Sequence, residues 1–297
     1  MTTTGFSAID LAKLPAPQII EELDCEVIFQ EMLAGFKSRH PEYSSIVESD
    51  PVYKAFEEVA YRELLLRQRV NEAARAVMLA SALGTDLDNL AALVPIERKL
   101  IDAGDPDAVP PVPPTYESNE EFRRRVQLGP EGFSVAGPEQ GYKFHALKVA
   151  EVLDARSRRT EPGCIELAIL GRNGNGDPSA EALTEVDTIF TDRTIRPQGD
   201  LMTIRAAEIV EYEVTATLSV AEGPSDGVVI QAAQDALAEY TSRAHALGGF
   251  VSVSGLTSAM TVEGVIDVQM PVSFENIVCE LWQAPYCTAI NIDVVRV

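Results

Sequence analysis

Histidine, cysteine and tryptophan are scarce: 297 residues hold three, four and one. His40, His145 and His245 stand far apart, which thins out histidine-based catalysis. Cys25, Cys164, Cys279 and Cys287 are too widely spaced for a C-x-x-C pair or a zinc ribbon. Buried thiols in a reducing compartment are the simplest reading, and a Cys279–Cys287 staple is the one pairing left open. Basic residues are outnumbered, 24 Lys+Arg against 46 Asp+Glu, for a formal net charge of −22. Phosphate backbones need clustered Lys and Arg, so nucleic acid is excluded as a partner. A bare anionic membrane is excluded for the same reason. No apolar run reaches about 18 residues, so no transmembrane helix is expected. The N-terminus has no basic stretch leading into an apolar one, so no secretory signal is expected.

What is present is a globular composition, 46% hydrophobic with mean hydropathy +0.01. At ~150 residues per domain the length implies about two domains. Residues 1–17, with Pro15 and Pro17, read as an arm. A helix is expected from about Gln18 to Lys37, with Cys25, Phe29, Met32 and Phe36 at helical spacing. Asp50-Pro51 opens the longest element, with Asp50 as cap and Pro51 at the first helical position. The pattern runs to Leu83, where Gly84 supplies a left-handed stop. Such a helix is ~50 Å long, more than a compact domain of this size needs. Leu66, Val70, Ala73, Val77 and Ala80 are spaced 4, 3, 4 and 3, a coiled-coil-like seam. An internal bundle helix and an intermolecular bundle both fit this seam; the length favours the second. A short helix capped by Thr85 follows. Pro106, Pro110, Pro111, Pro113 and Pro114 then mark residues 103–117 as a stiff, extended linker and a domain boundary.

The second half changes character. Ser118 and Glu121 form a capping box for a helix ending near Gly129. Another helix is expected from Pro138 to Glu151. Strands follow at about Val152–Arg156 and Ile165–Leu170, with Pro162-Gly163 in the turn. A helix capped by Asp177 ends near Arg193, and a strand covers Leu201–Ala206. From Ile209 to Val220 apolar and polar residues alternate, which predicts a strand with one buried and one wet face. Asp226 caps a helix striped by Ile230, Ala233, Leu237, Tyr240, Ala244 and Leu247. A short helix near Gly255–Thr261, a strand at Val265–Met270 and a last strand holding Ile290, Ile292 and Val294 complete an α+β pattern. The predicted architecture is a helical bundle region over 18–102, the linker, a middle α+β domain over 118–206 and a C-terminal α+β domain over 207–297.

Three places invite chemistry. Ser134 lies in G-x-S-x-x-G, one residue longer than a nucleophile elbow and without a preceding strand, so a serine hydrolase is a weak alternative. Asn173, Asn175 and Asp177 alternate as in a calcium loop, but Glu181 is too close to be the last ligand. A turn with a helix cap explains the same residues; a metal- or carbohydrate-binding module is the alternative. Arg123, Arg124 and Arg125, with Arg156, Arg158 and Arg159, are the positive clusters, while Ala206 onward holds twelve acidic and two basic residues. Solvated arginines and docking to an acidic protein surface both fit, and the asymmetry could set docking polarity.

Residues 14–24 (LPAPQIIEELD), 60–80 (AYRELLLRQRVNEAARAVMLA) and 84–91 (GTDLDNLA) resemble the baseplate assembly protein J family of contractile-tailed phages. Gly163, Ile165 to Leu170, Arg196-Pro197 and Asp200 look like its middle domain. Tyr212 to Val220, the helix after it and Gly264-Val265 look like its C-terminal domain. Gln198-Gly199 departs from the family's usual bulkier residue followed by Thr. The resemblance implies a structural baseplate wedge protein, not an enzyme, with no cofactor. It implies a helical bundle of two copies with a smaller protein I-like wedge partner, along the seam Leu66, Val70, Ala73, Val77 and Ala80. It further implies C-terminal domains pairing into a ring around the hub, contacts with hub, sheath-initiator and tail fibre proteins, and relay of the contraction trigger. The implied location is the virion tail baseplate, assembled in the host cytoplasm.

Overall fold

The computed structural model describes residues 9–296 except 16, 44, 134–136, 193, 222 and 224. They form two compact units, one of residues 8–98 with 118–127, the other chiefly of 99–117 with 128–297.

The first unit is helical. Helix α1, Cys25–Arg39, begins seven residues later than the sequence predicts. Asp24 takes an extended backbone and accepts the N–H groups of Glu26 and Val27. Upstream, the Asn71 amide accepts the N–H of Glu21 at 3.1 Å and donates to its carbonyl at 2.8 Å, so that peptide is spent outside any helix. Helix α2, Pro51–Ala76, places Pro51 first as predicted, but the Asp50 carboxylate accepts from Val47 N rather than capping the helix. Ile28, Phe29 and Leu33 of α1 bury against Ala60 of α2. Edge-on ring pairs Phe29–Tyr53 and Phe36–Phe56 extend this core.

Helix α2 stops at Ala76, well before Gly84. Its 26 residues span ~39 Å, not ~50 Å. The cause lies in α4, Asn119–Leu128, whose Arg123 is buried. The Arg123 guanidinium donates to the carbonyls of Leu79 (2.6 Å) and Ala82 (2.7 Å) and pairs with Glu120. Ser81 also donates to the Arg75 carbonyl. These bonds take up carbonyls that a continuing helix would use itself. Gly84 does adopt positive φ, but as the first residue of α3, Gly84–Ala91, so Thr85 lies inside the helix, Leu83 holds the N-cap position and no side chain caps it. The capping box of α4 forms as predicted, Glu121 N to Ser118 Oγ and Ser118 N to the Glu121 carboxylate.

The second unit opens with β1, Leu100–Asp102, antiparallel to β2, Thr115–Tyr116. Asp105 and Val112 exchange both backbone hydrogen bonds between them. The proline-rich stretch is therefore a hairpin excursion, not an extended spacer. Gly104 (φ +67°) permits it, since a Cβ there would meet the Val112 carbonyl at 2.3 Å. Helix α5, Glu139–Ala146, is shorter than the predicted 138–151 because the chain tightens into turns from Leu147. Strands β3, Val152–Glu161, and β4, Cys164–Gly171, form a hairpin. Helix α6, Ala180–Thr191, then carries the chain to β5, Leu201–Ala206, parallel to β4. Ser179, not Asp177, caps α6. Tyr142, Val152, Leu167, Ile169, Val186 and Phe190 fill this core.

After the single residue Ala207 comes β6, Glu208–Val220, the alternating strand. Tyr212, Val214, Ala216, Leu218 and Val220 face inward and are buried, as predicted. Helix α7, Asp226–Ala244, follows, with Ser225 rather than Asp226 at the N-cap position and no side-chain capping bond. Next come β7, Phe250–Val251, α8, Val253–Met260, β8, Val265–Gln269, and β9, Ile277–Val278. Strand β10, Gln283–Arg296, is far longer than its three predicted apolar residues. It runs parallel to β6 from Gln283↔Glu208 to Arg296↔Val220, giving a three-stranded sheet in the order β10-β6-β8. The fold class is α+β, as predicted.

His145 is buried in the core beside Phe144 and Phe190, with both ring nitrogens unpartnered among the described residues. Burial, helped by nearby Lys148, pushes its pKa down to about 4. An unfolded chain holds histidine near 6.5, so below that pH the unfolded state takes up a proton that the folded state refuses. Stability is therefore full above about pH 6.5 and falls as pH drops towards 4. His145→Leu should flatten that decline by about 2 kcal/mol, read from urea denaturation of both proteins at pH 7 and pH 5. Parallel pH profiles would show that the decline has another source.

Candidate interaction surfaces

Helix α2 has more than one apolar side. Tyr53, Phe56, Ala60 and Leu64 pack with α1, and Asn71 on the same side of the helix holds the Glu21 peptide upstream of it. About a third of a turn round the helix, at 3.6 residues per turn, lies a second stripe of Val52, Val59, Leu66, Val70 and Ala73. Leu66 is 66% and Val70 52% exposed, and Ala73 is exposed as well. Val77 and Ala80 are also exposed, but they lie past the end of α2. Val77 is its capping residue and Ala80 sits in the turn held by Arg123. The five-residue seam is thus helical only through Leu66, Val70 and Ala73.

A second cluster joins the β3–β4–β5 sheet to the C-terminal sheet. Glu166, on β4, is mostly withdrawn from water. Arg158 Nε lies 2.7 Å from its Oε2, and Arg205 pairs with Oε1. The Arg158 guanidinium stacks over Trp282, its Cζ 3.9 Å from the ring centroid. Beside this joint, Ala168, Leu170, Ala207, Leu247 and Ala284 form a shared core. Asp154 locks it from below. Its carboxylate accepts the Leu247 N–H at 3.2 Å and pairs with Lys143 at 2.6 Å. Sequence reasoning found Arg158 only as part of a basic cluster and missed Glu166, Arg205, Asp154 and Trp282. A lone charge between Ile165 and Leu167 in an apolar strand, and the sole tryptophan, were the available signals.

The other candidates resolve differently. Ser134 lies outside the described residues. In the 171–177 loop the polar groups serve the turn itself, Asp177 N donating to Asn175 Oδ1 and Gly176 N to the Asn173 carbonyl. No group of three or more His, Cys, Asp or Glu side chains among the described residues is placed to hold a metal. Cys279 and Cys287 are free thiols, not a disulfide, and burial pushes both up, which favours the protonated form. Of the clustered arginines, Arg123 is buried and Arg158 belongs to the joint, while Arg124 and Arg159 remain exposed.

Three family models cover most of the chain: the Baseplate J-like N-terminal domain at 48–105, the Baseplate J-like central domain at 134–206 and the Baseplate J-like protein C-terminal domain at 212–293. The chain is 39% identical to "Baseplate protein J" of Escherichia phage P2 over 288 residues, covering 94% of this chain and 95% of that protein. This chain belongs to the Baseplate J-like family. The resemblance read from residues 14–24, 60–80 and 84–91 is thereby borne out, and with it a place among phage-tail structural proteins.

Glu166→Gln keeps the shape of the joint but removes the charge that Arg158 and Arg205 share, leaving Arg205 only its 3.7 Å pair with Glu208. The expected loss is about 1–3 kcal/mol of stability. Trp282 is the sole tryptophan, so its fluorescence during urea denaturation reports the joint directly. An unchanged midpoint would mean that Glu166 does not hold it.

Proposed function

We propose that this chain is a structural wedge component of a contractile-tail baseplate and acts without catalysis. On this reading two copies and a smaller protein I-like partner form a helical bundle along Leu66, Val70 and Ala73. The C-terminal modules contribute to a ring around the hub, with sheath-initiator and tail fibre proteins as further contacts. The ring passes the contraction trigger to the sheath. Assembly takes place in the host cytoplasm and the product sits in the virion tail baseplate.

The observation that carries this reading is the second apolar stripe of α2. A helix whose one face is already buried has no need within its own unit for exposed Leu66 and Val70. Such a stripe is costly in water and is stabilised when a partner covers it. Removing a buried Leu side chain from a bundle loses roughly 2–5 kcal/mol, and placing a carboxylate there loses more. The domain division proposed is an arm over 1–17, a bundle region over 18–102, the 103–117 segment, and middle and C-terminal modules over 118–206 and 207–297. The rigid joint at Trp282 supports a relay role, because a displacement of one module must be taken up by the other.

Co-expression with the smaller baseplate protein tests this. Leu66→Asp with Val70→Asp should abolish co-purification, while circular dichroism and thermal midpoint of the isolated chain stay close to the parent's because both residues are exposed. Undiminished co-purification would sink the bundle.

A further inference from the structure

We infer that the free edge of β10 is a self-complementary pairing site that takes β10 of a second copy, antiparallel, about a two-fold axis at Ile292. The inference rests on the assembly reading above and gives its C-terminal contact a strand and a register.

Strand β10 is an edge: in the order β10-β6-β8, no strand among the described residues lies on its other side. The inner layer is unfinished there. Val214, Ala216 and Leu218 of β6 are fully buried, yet their register partners Ile290, Ile292 and Val294 are only half-buried. Edge strands that must stay single are guarded by lysine, proline or a bulge. Beyond the bulge at Cys287–Ala289, β10 has neither lysine nor proline over Ala289–Val295.

Charge and side-chain parity select the occupant and the register. Acidic residues dominate this module, yet residues 289–296 hold one acid, Asp293, and one base, Arg296, so the edge is a neutral strip on a negative body. Arg296 is already engaged by Asp226 of α7. A two-fold axis through Ile292 and perpendicular to the sheet sets Ile292 opposite itself and Ile290 opposite Val294, extending the apolar layer with both α7 helices on one side. On the open face Ala289 meets Val295. Asp293 meets Asn291, which can donate to it, rather than a second Asp293. Centring the pair one residue later, on residue 293, would put the two carboxylates against each other.

Cross-linking in the full-length chain tests this register. With Asn291→Cys and Asp293→Cys together, each new thiol faces its counterpart in the second copy. Either substitution alone leaves the thiols on a diagonal of roughly 7–8 Å, beyond the ~4 Å Cβ separation of a disulfide. Mild oxidation should give at least about tenfold more covalent dimer from the double variant than from either single variant or the parent, whose four native cysteines set the background. Absence of dimer, or equal dimer from the single variants, overturns the pairing. Val295→Lys, at an exposed position, should weaken self-association by at least about tenfold in sedimentation with unchanged circular dichroism. Dimerisation equal to the parent's overturns the edge as the site. If cross-linking fails while the α2 variants still abolish partner capture, the β10 pairing alone falls. If the α2 variants have no effect, the bundle reading falls whatever β10 does.

Discussion

A carboxylate withdrawn from water has to be neutralised, and Glu166 is neutralised from two sides, by Arg158 on its own hairpin and by Arg205 at the end of the parallel strand β5. That constraint orders much of the second unit. It fixes β5 against β4, turns the Arg158 plane towards Trp282 and brings β10 against the middle sheet. Asp154 repeats the device a short distance away with Lys143 and the Leu247 N–H. Two small sheets, each with its own core against its helices, also share a core at Ala168, Leu170 and Ala284, with ion pairs at its rim.

The sequence made the periodic elements legible. The alternation from Ile209 to Val220 located the central strand of the C-terminal sheet and its buried face. Ser118 with Glu121 located the start of α4. What periodicity could not reveal was where distant side chains intervene. Leu79 and Ala82 continue a helical pattern, and only Arg123, some forty residues on, takes their carbonyls. Residues 18–23 look helical until the Asn71 amide claims the Glu21 peptide. Prolines signal stiffness, but the pairing of Asp105 with Val112 is a contact that composition does not encode. The residues of β10 alternate weakly, and its extent is set by pairing along β6.

The candidate surfaces divide in the same way. Spacing alone exposed Leu66, Val70 and Ala73, since a heptad stripe is a local property. The joint at Glu166 was invisible because its members come from three strands and from Trp282, just before β10. The negative charge gained meaning as well. Acidic residues lie on the open sheet face at Glu211, Glu213 and Asp267, whereas two of the six arginines that looked available for a partner, Arg123 and Arg158, are engaged inside the fold.

The passage from β5 to β6 is one residue long. Ala207 donates its N–H to the Ile169 carbonyl of the middle sheet, and the next N–H, that of Glu208, goes to the Trp282 carbonyl of the C-terminal part. Neighbouring peptides thus belong to different sheets, with no slack between them. Beyond that point β6 lies alongside β10 for thirteen residue positions. Tension applied along β6 loads those hydrogen bonds side by side, in shear, rather than peeling them one at a time. The same tension reaches β4 through the Ala207 bond. The second unit is built as a tie rod, stiff along its strands, whose first slippage under axial load would require many bonds to give at once.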